Sequence, residues 1–175
     1  MTPLVVVTGV PGAGKSALAA ALAARLGMFP VSLDAIEEEL AAGAPDTPRD
    51  WLRRDAEEEV VRRLEAVGGE AVLDIWVAPR RDVERVAALL RPWWHRLVEV
   101  RCQVPADLAV TRERDRPHLP ADDATLDRIR DAAERPQSLG APRTIVLDTS
   151  RPVALGDVVS AVRRETGTQR PVRRS

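Results

Sequence analysis

Of the 26 basic residues in this chain, all but one are arginine; the exception is Lys15. It lies in GVPGAGKS, residues 9–16, which fits the spacing G-x-x-x-x-G-K-[ST]. Arginine carries a wide planar fork, whereas a loop curled round a phosphate has room only for a slender stem ending in a point charge. Gly9, Gly12 and Gly14 allow positive φ and close approach to an anion, so the amides from about Ala13 to Ala17 can point inward at the start of a helix. Ser16 is placed to put its hydroxyl on the Mg²⁺ of a nucleoside triphosphate, ATP or GTP. The candidate nucleotide-contacting residues are therefore Gly9, Val10, Pro11, Gly12, Ala13, Gly14, Lys15, Ser16 and Ala17, with Lys15 also a catalytic candidate and Ser16 the metal contact.

Phosphoryl transfer also needs charge neutralisation and a carboxylate that takes the acceptor's proton. Asp34 ends the apolar stretch PVSLD and is the candidate general base; the competing reading is a helix N-cap. Asp74 ends EAVLD, where a carboxylate can orient Mg²⁺ or its waters, orient the acceptor, or make a strand-end hydrogen bond. Trp76 either walls an acceptor pocket or packs in the core. Arg112 and Arg116 are four apart, so one helix face could bring both over the phosphates; a solvated, ion-paired face is the alternative. His118 has no second ligand at metal spacing and reads as a flap residue, and Cys102 reads as a small buried apolar residue.

Those side chains need a scaffold. Apolar runs at residues 4–8, 30–34, 71–76, 97–102 and 143–147 read as strands. Helical patterns fill 17–26, 35–42, 80–91, 105–116, 124–135 and 153–165, and a long helix runs to Val67 with Thr47 as its cap and Pro48 in its first position. Alternating strands and helices predict a three-layer α/β fold with a five-stranded parallel sheet, whose active residues gather at the carboxyl ends of the strands. The tryptophans of WWH at 93–95 enter the fourth strand from the opposite edge and are expected to be structural. Residues 112–123, dense in arginine, proline and aspartate, are the expected lid, and 167–175 an expected basic, frayed tail.

Composition narrows the partners. A length of 175 residues fits one domain, residues 1–166, before the tail. A net charge of −1 and 3% aromatic residues disfavour nucleic acid, leaving a small-molecule hydroxyl acceptor. One cysteine excludes an internal disulfide, and no apolar run nears 18 residues, so a soluble cytoplasmic protein with no membrane contact is expected.

The GVPGAGKS loop, Asp34, the VLDIW strand and the VEVRC strand followed by arginines together resemble the small P-loop kinases of the AAA-type ATPase and kinase group. The similarity is greatest to chloramphenicol phosphotransferase, polynucleotide 5′-kinase domains and gluconate kinase, and it covers about residues 3–165. The resemblance implies the P-loop NTPase fold with strand order 2-3-1-4-5, ATP with Mg²⁺, and transfer of the γ-phosphate to a hydroxyl of a sugar, nucleoside or antibiotic. It implies phosphate and metal contacts for Lys15 and Ser16, acceptor activation by Asp34, lid roles for Arg112 or Arg116, and an adenine-flanking position for LDTSRP at 147–152. The long helix carrying Trp51 lies where relatives build acceptor specificity, so Trp51 joins Asp34, Asp74 and Trp76 as acceptor-binding candidates. Where some relatives follow the third-strand carboxylate with an acid or Asn, this chain has Ile75 and Trp76. A nucleotide-dependent NTPase or switch, and a polynucleotide kinase, are the rival functions.

Overall fold

LVVVT, strand β1 (Leu4–Thr8), is buried at all five positions, as befits a central parallel strand covered on both faces. The computed structural model describes residues 2–116 and 121–167. Around β1 lie β2 (Phe29–Ser32), β3 (Ala71–Asp74), β4 (Leu97–Gln103) and β5 (Arg143–Asp148), in the order β2-β3-β1-β4-β5. Every pairing is parallel, which is the order and sheet type expected.

Alternation along the strands sends successive side chains to opposite faces. Val5, Val7, Val72 and Val100 pack with α1 (Lys15–Leu26), α5 (Ala106–Arg114), α6 (Asp123–Glu134) and α7 (Leu155–Glu165). Leu4, Val6, Leu73 and Leu97 pack with α2 (Leu33–Gly43), α3 (Arg49–Ala66), α4 (Val83–Leu89) and Trp93. Trp93 belongs to a 3₁₀ helix, Arg91–Arg96, which enters β4 from the edge opposite the loops and makes that tryptophan structural, as expected. Among the described residues, no helix is long and apolar enough to cross a membrane.

Several boundaries differ from expectation for local reasons. β2 stops at Ser32 because the Ser32 hydroxyl caps α2, accepting from the Ala35 N–H at 3.4 Å. Asp34 therefore sits in the first turn of a helix, where its charge faces the positive dipole end, and is neither a strand end nor the cap. Pro48, not Thr47, is the N-cap of α3, and its carbonyl accepts from the N–H groups of Trp51 and Leu52. β3 ends at Asp74, so Trp76 is outside the strand; the Ile75 N–H still reaches the Val7 carbonyl at 3.1 Å. The helix expected from residue 80 begins only at Val83: Arg80 has φ +62°, and the Asp82 carboxylate turns back to accept from the Ala78 N–H. α5 closes at Arg114, so Arg116 lies past its end and the expected shared face with Arg112 does not form. The centre of the expected lid, His118 included, and the tail from residue 168 lie outside the described residues.

Candidate active site

The loop from Gly9 to Gly14 connects the buried β1 to α1 across the carboxyl edge of the sheet. Gly12 has φ +79°, and a Cβ there would stand 2.3 Å from the Ala109 carbonyl oxygen on α5, so the loop can press against that helix only with glycine. The Ala13 N–H returns to Val10 O at 3.1 Å and the Leu18 N–H to Gly14 O at 3.2 Å. Between them, the N–H groups of Gly14, Lys15, Ser16 and Ala17 have no acceptor among the described residues. Ser16 and Ala17 are exposed, so the start of α1 offers open donors and a positive dipole end to an incoming anion. Lys15 is buried, and its Nζ donates to Val10 O at 3.3 Å; it forms no ion pair among the described residues.

Beside this loop the energetics turn unfavourable. Asp74 is level with Val7 and Ser32 across the sheet and is 4% exposed, and neither carboxylate oxygen has a hydrogen-bonding partner among the described residues. Burial pushes its pKa above the ordinary carboxylate value, and the Asp34 charge adds to the rise. The Lys15 ammonium, the nearby Ser16 hydroxyl and the Arg116 guanidinium offset part of it. Lys15, Ser16, Asp34 and Arg116 thus lie within electrostatic reach of one buried acid. The other buried side-chain polar atoms without partners among the described residues are Trp76 Nε1 and Arg101 Nε, just beyond the end of β3 and near the end of β4. Orphaned polar atoms are expensive, and here they collect at one edge of the sheet.

The remaining candidates are spread more widely. Arg112 donates through Nη1 to Gly12 O at 3.3 Å and to Thr149 O at 3.2 Å, which ties α5 to the glycine loop and to the segment after β5. Arg116 is exposed and pairs with Glu113 at 3.5 Å. Trp76 is half-buried and Trp51 is 66% exposed, and neither tryptophan borders the two cavities at this edge. A cavity of about 530 Å³ opens between Gly12–Gly14, Leu18 and the 149–155 segment, which places LDTSRP against the loop. Among the described residues no three His, Cys, Asp or Glu side chains are grouped to hold a metal. Mg²⁺ needs no such cage, since it takes one or two protein oxygens and fills its octahedron with phosphate and water; the orphaned Asp74 and the Ser16 hydroxyl fit that use.

Residue patterns did not reveal the clamp on the segment after β3. Arg53 donates to Glu37 at 2.8 Å, to Glu57 at 3.2 Å and, through Nη2, to the Trp76 carbonyl at 3.1 Å. Arg85 links Glu57 to Asp82, which holds the Ala78 N–H. Of this network, the spacings of Arg53 with Glu57 and of Asp82 with Arg85 are visible in the sequence. Glu99 was missed too: it is fully buried and accepts from Thr8 Oγ1 at 2.8 Å and from the Leu139 N–H, and a lone acid within the apolar run LVEV was its signal.

A family model described as an AAA domain matches residues 4–136. The chain belongs to that family. The AAA domain match includes the glycine loop, Asp34, Asp74, Arg112 and Arg116, and stops before β5 and LDTSRP. No curated protein matches the sequence. Among solved structures, a candidate kinase from Chloroflexus aurantiacus is 24% identical with a TM-score of 0.73, over 95% of this chain and 97% of that one. A sugar kinase from Janibacter sp. is 20% identical with a TM-score of 0.66, over 96% of each chain. Shikimate kinase from Acinetobacter baumannii, in complex with shikimate, is 21% identical with a TM-score of 0.63, over 93% of this chain and 91% of that one. At these identities the likeness establishes a shared fold, that of the P-loop kinases.

Proposed function

We propose that this AAA domain protein is an ATP- and Mg²⁺-dependent phosphotransferase that moves the γ-phosphate to a hydroxyl of a small molecule. The observation that carries this reading is the buried Asp74 carboxylate, without a hydrogen-bonding partner among the described residues, beside Lys15 and Ser16 at the open amide end of α1. The kinase names of the structural neighbours support it.

In this reading the free amides of Gly14 to Ala17 and the Lys15 ammonium bind the β- and γ-phosphates. The 530 Å³ cavity beside residues 149–155 takes the base and ribose, and Arg112 fixes its walls. Ser16 and Asp74 hold Mg²⁺, which supplies charge neutralisation at the phosphates when bound. Asp34 accepts the proton as the acceptor oxygen bonds to the γ-phosphorus and the bond from that phosphorus to the β–γ bridging oxygen breaks, releasing ADP. Arg116, free to swing from its exposed pair with Glu113, neutralises charge in the transition state. Trp76 walls the acceptor side. Trp51, far more exposed, contributes only where the acceptor reaches the start of α3.

The test is incubation of the protein with γ-labelled ATP and a panel of sugars, nucleosides, hydroxy acids and aminoalcohol antibiotics. A labelled organic product is expected. Release of inorganic phosphate at one rate, whatever is added, would replace the proposal with a plain NTPase, and a labelled oligonucleotide would replace it with a polynucleotide kinase.

A further inference from the structure

Arg101 stands on β4 opposite Thr8 of β1, at the carboxyl edge of the sheet. It is half-buried, its Nε is fully buried, and its side chain forms no hydrogen bond or ion pair among the described residues. Other half-buried arginines on this side of the sheet behave differently: Arg53 reaches two carboxylates and a carbonyl. A guanidinium taken partly out of water with nothing to receive its N–H groups is costly, and such a cost is tolerated where a ligand supplies the missing acceptor.

The surroundings indicate which ligand. Arg101 and Gln103 line a second, narrow cavity with Gly9, Val77 and Gln137. This cavity touches the glycine loop at Gly9 and Val10, whereas the larger one touches it at Gly12 to Gly14. Val77 and Pro79 in its wall belong to the segment that follows Trp76, and it shares no lining residue with the larger cavity assigned to the base. Gln137 Oε1 already accepts from the Arg80 N–H at 2.8 Å, which leaves its amide hydrogens free to donate. Glu99, an acid in the wall of this cavity, is occupied by Thr8, Ser138 and the Leu139 N–H. The cavity measures about 30 Å³. At roughly 10–15 Å³ for each water-sized group, that is room for a small polar group. The planar guanidinium fork pairs bidentately with a carboxylate.

We propose that Arg101, aided by the Gln103 and Gln137 amides, binds a carboxylate on the phosphoryl acceptor, which makes the acceptor a hydroxy acid. This rests on the phosphotransferase reading, yet the two can fail separately.

The test is calorimetric titration of the full chain, loaded with Mg·ADP, with glycerate, gluconate and shikimate, each beside an uncharged counterpart: glycerol, glucitol and methyl shikimate. At least one acid should bind tenfold or more tighter than its counterpart. Arg101→Gln should abolish that preference, a loss of roughly 10- to 100-fold for a charge-assisted pair, with Mg·ADP affinity unchanged. Arg101→Lys keeps a positive charge near Glu99 but loses the fork. If Arg101 serves only as a counter-charge to Glu99, that variant will bind the acid as well as the wild type does, and the proposal falls. It falls equally if the uncharged compounds bind as tightly as the acids, or if no acid binds. Label transfer from ATP separates the two readings. Carboxylate-dependent binding with no labelled product keeps the Arg101 site and overturns the phosphotransferase, whereas a labelled neutral alcohol that binds as tightly as its acid does the reverse.

Discussion

The Asp74 carboxylate, 4% exposed and with neither oxygen bonded among the described residues, raises the free energy of the ligand-free chain whenever it is ionised. Its pKa is raised, chiefly by burial, so its penalty is absent below the ordinary value of 3.8 and appears as pH rises through the folded-state pKa. Asp74→Asn should therefore melt higher than the parent near neutral pH, by roughly 2–4 °C if about 1 kcal/mol is recovered in a chain of this size. The gain should vanish below pH 3.8 and be accompanied by loss of phosphoryl transfer; an Asn variant that melts lower at pH 7 would contradict this account of the site. Asp34 makes a different prediction. It is half-buried in the first turn of α2 and does not cap the helix, so Asp34→Asn should leave nucleotide affinity intact while slowing transfer by roughly 10² to 10⁴ in single-turnover measurements. Undiminished transfer would remove it as the base.

At the scale of elements, the segment after β3 is held without regular structure of its own. Arg53 on α3 fixes the Trp76 carbonyl, and Asp82 before α4 fixes the Ala78 N–H. Burial alone would raise the Asp82 pKa, but the Arg81 and Arg85 guanidiniums and the Ala78 N–H together pull it down to about 2. The stability it contributes is present above 3.8 and is lost as pH falls toward 2. Asp82→Asn should cost roughly 1–3 kcal/mol at pH 7, the range for breaking a buried charged hydrogen bond, and the difference from the parent should shrink below pH 3.8 in denaturant titrations. Equal stability at pH 7 would mean that the clamp is idle. Elements also mark the limit of what the sequence discloses. The loop was legible because eight adjacent residues carry its geometry, and the five strands were legible as apolar runs. The position of Asp34 was not, because Ser32 and Asp34 both suit a helix start and only packing decides between them. Arg112 and Arg116 have helical spacing, but α5 ends between them and Arg112 turns to carbonyls on two other segments.

For the molecule as a whole, strand order collects distant residues at one edge. Lys15, Asp34, Asp74 and Arg101 come from four segments of the chain, and the arrangement β2-β3-β1-β4-β5 places the loop after β1 between β3 and β4. That order followed from the resemblance to P-loop kinases, since residue patterns alone do not say which strands are neighbours. Arg101 shows the remaining gap: that its Nε lacks a partner among the described residues is a property of the packed chain and leaves no trace in the residues beside it. All of this depends on the glycine loop receiving a nucleotide, which calorimetry of the full chain with Mg·ATP tests most directly. Saturable binding that Lys15→Ala removes is the result expected; a folded protein that evolves no heat with either Mg·ATP or Mg·GTP would contradict it.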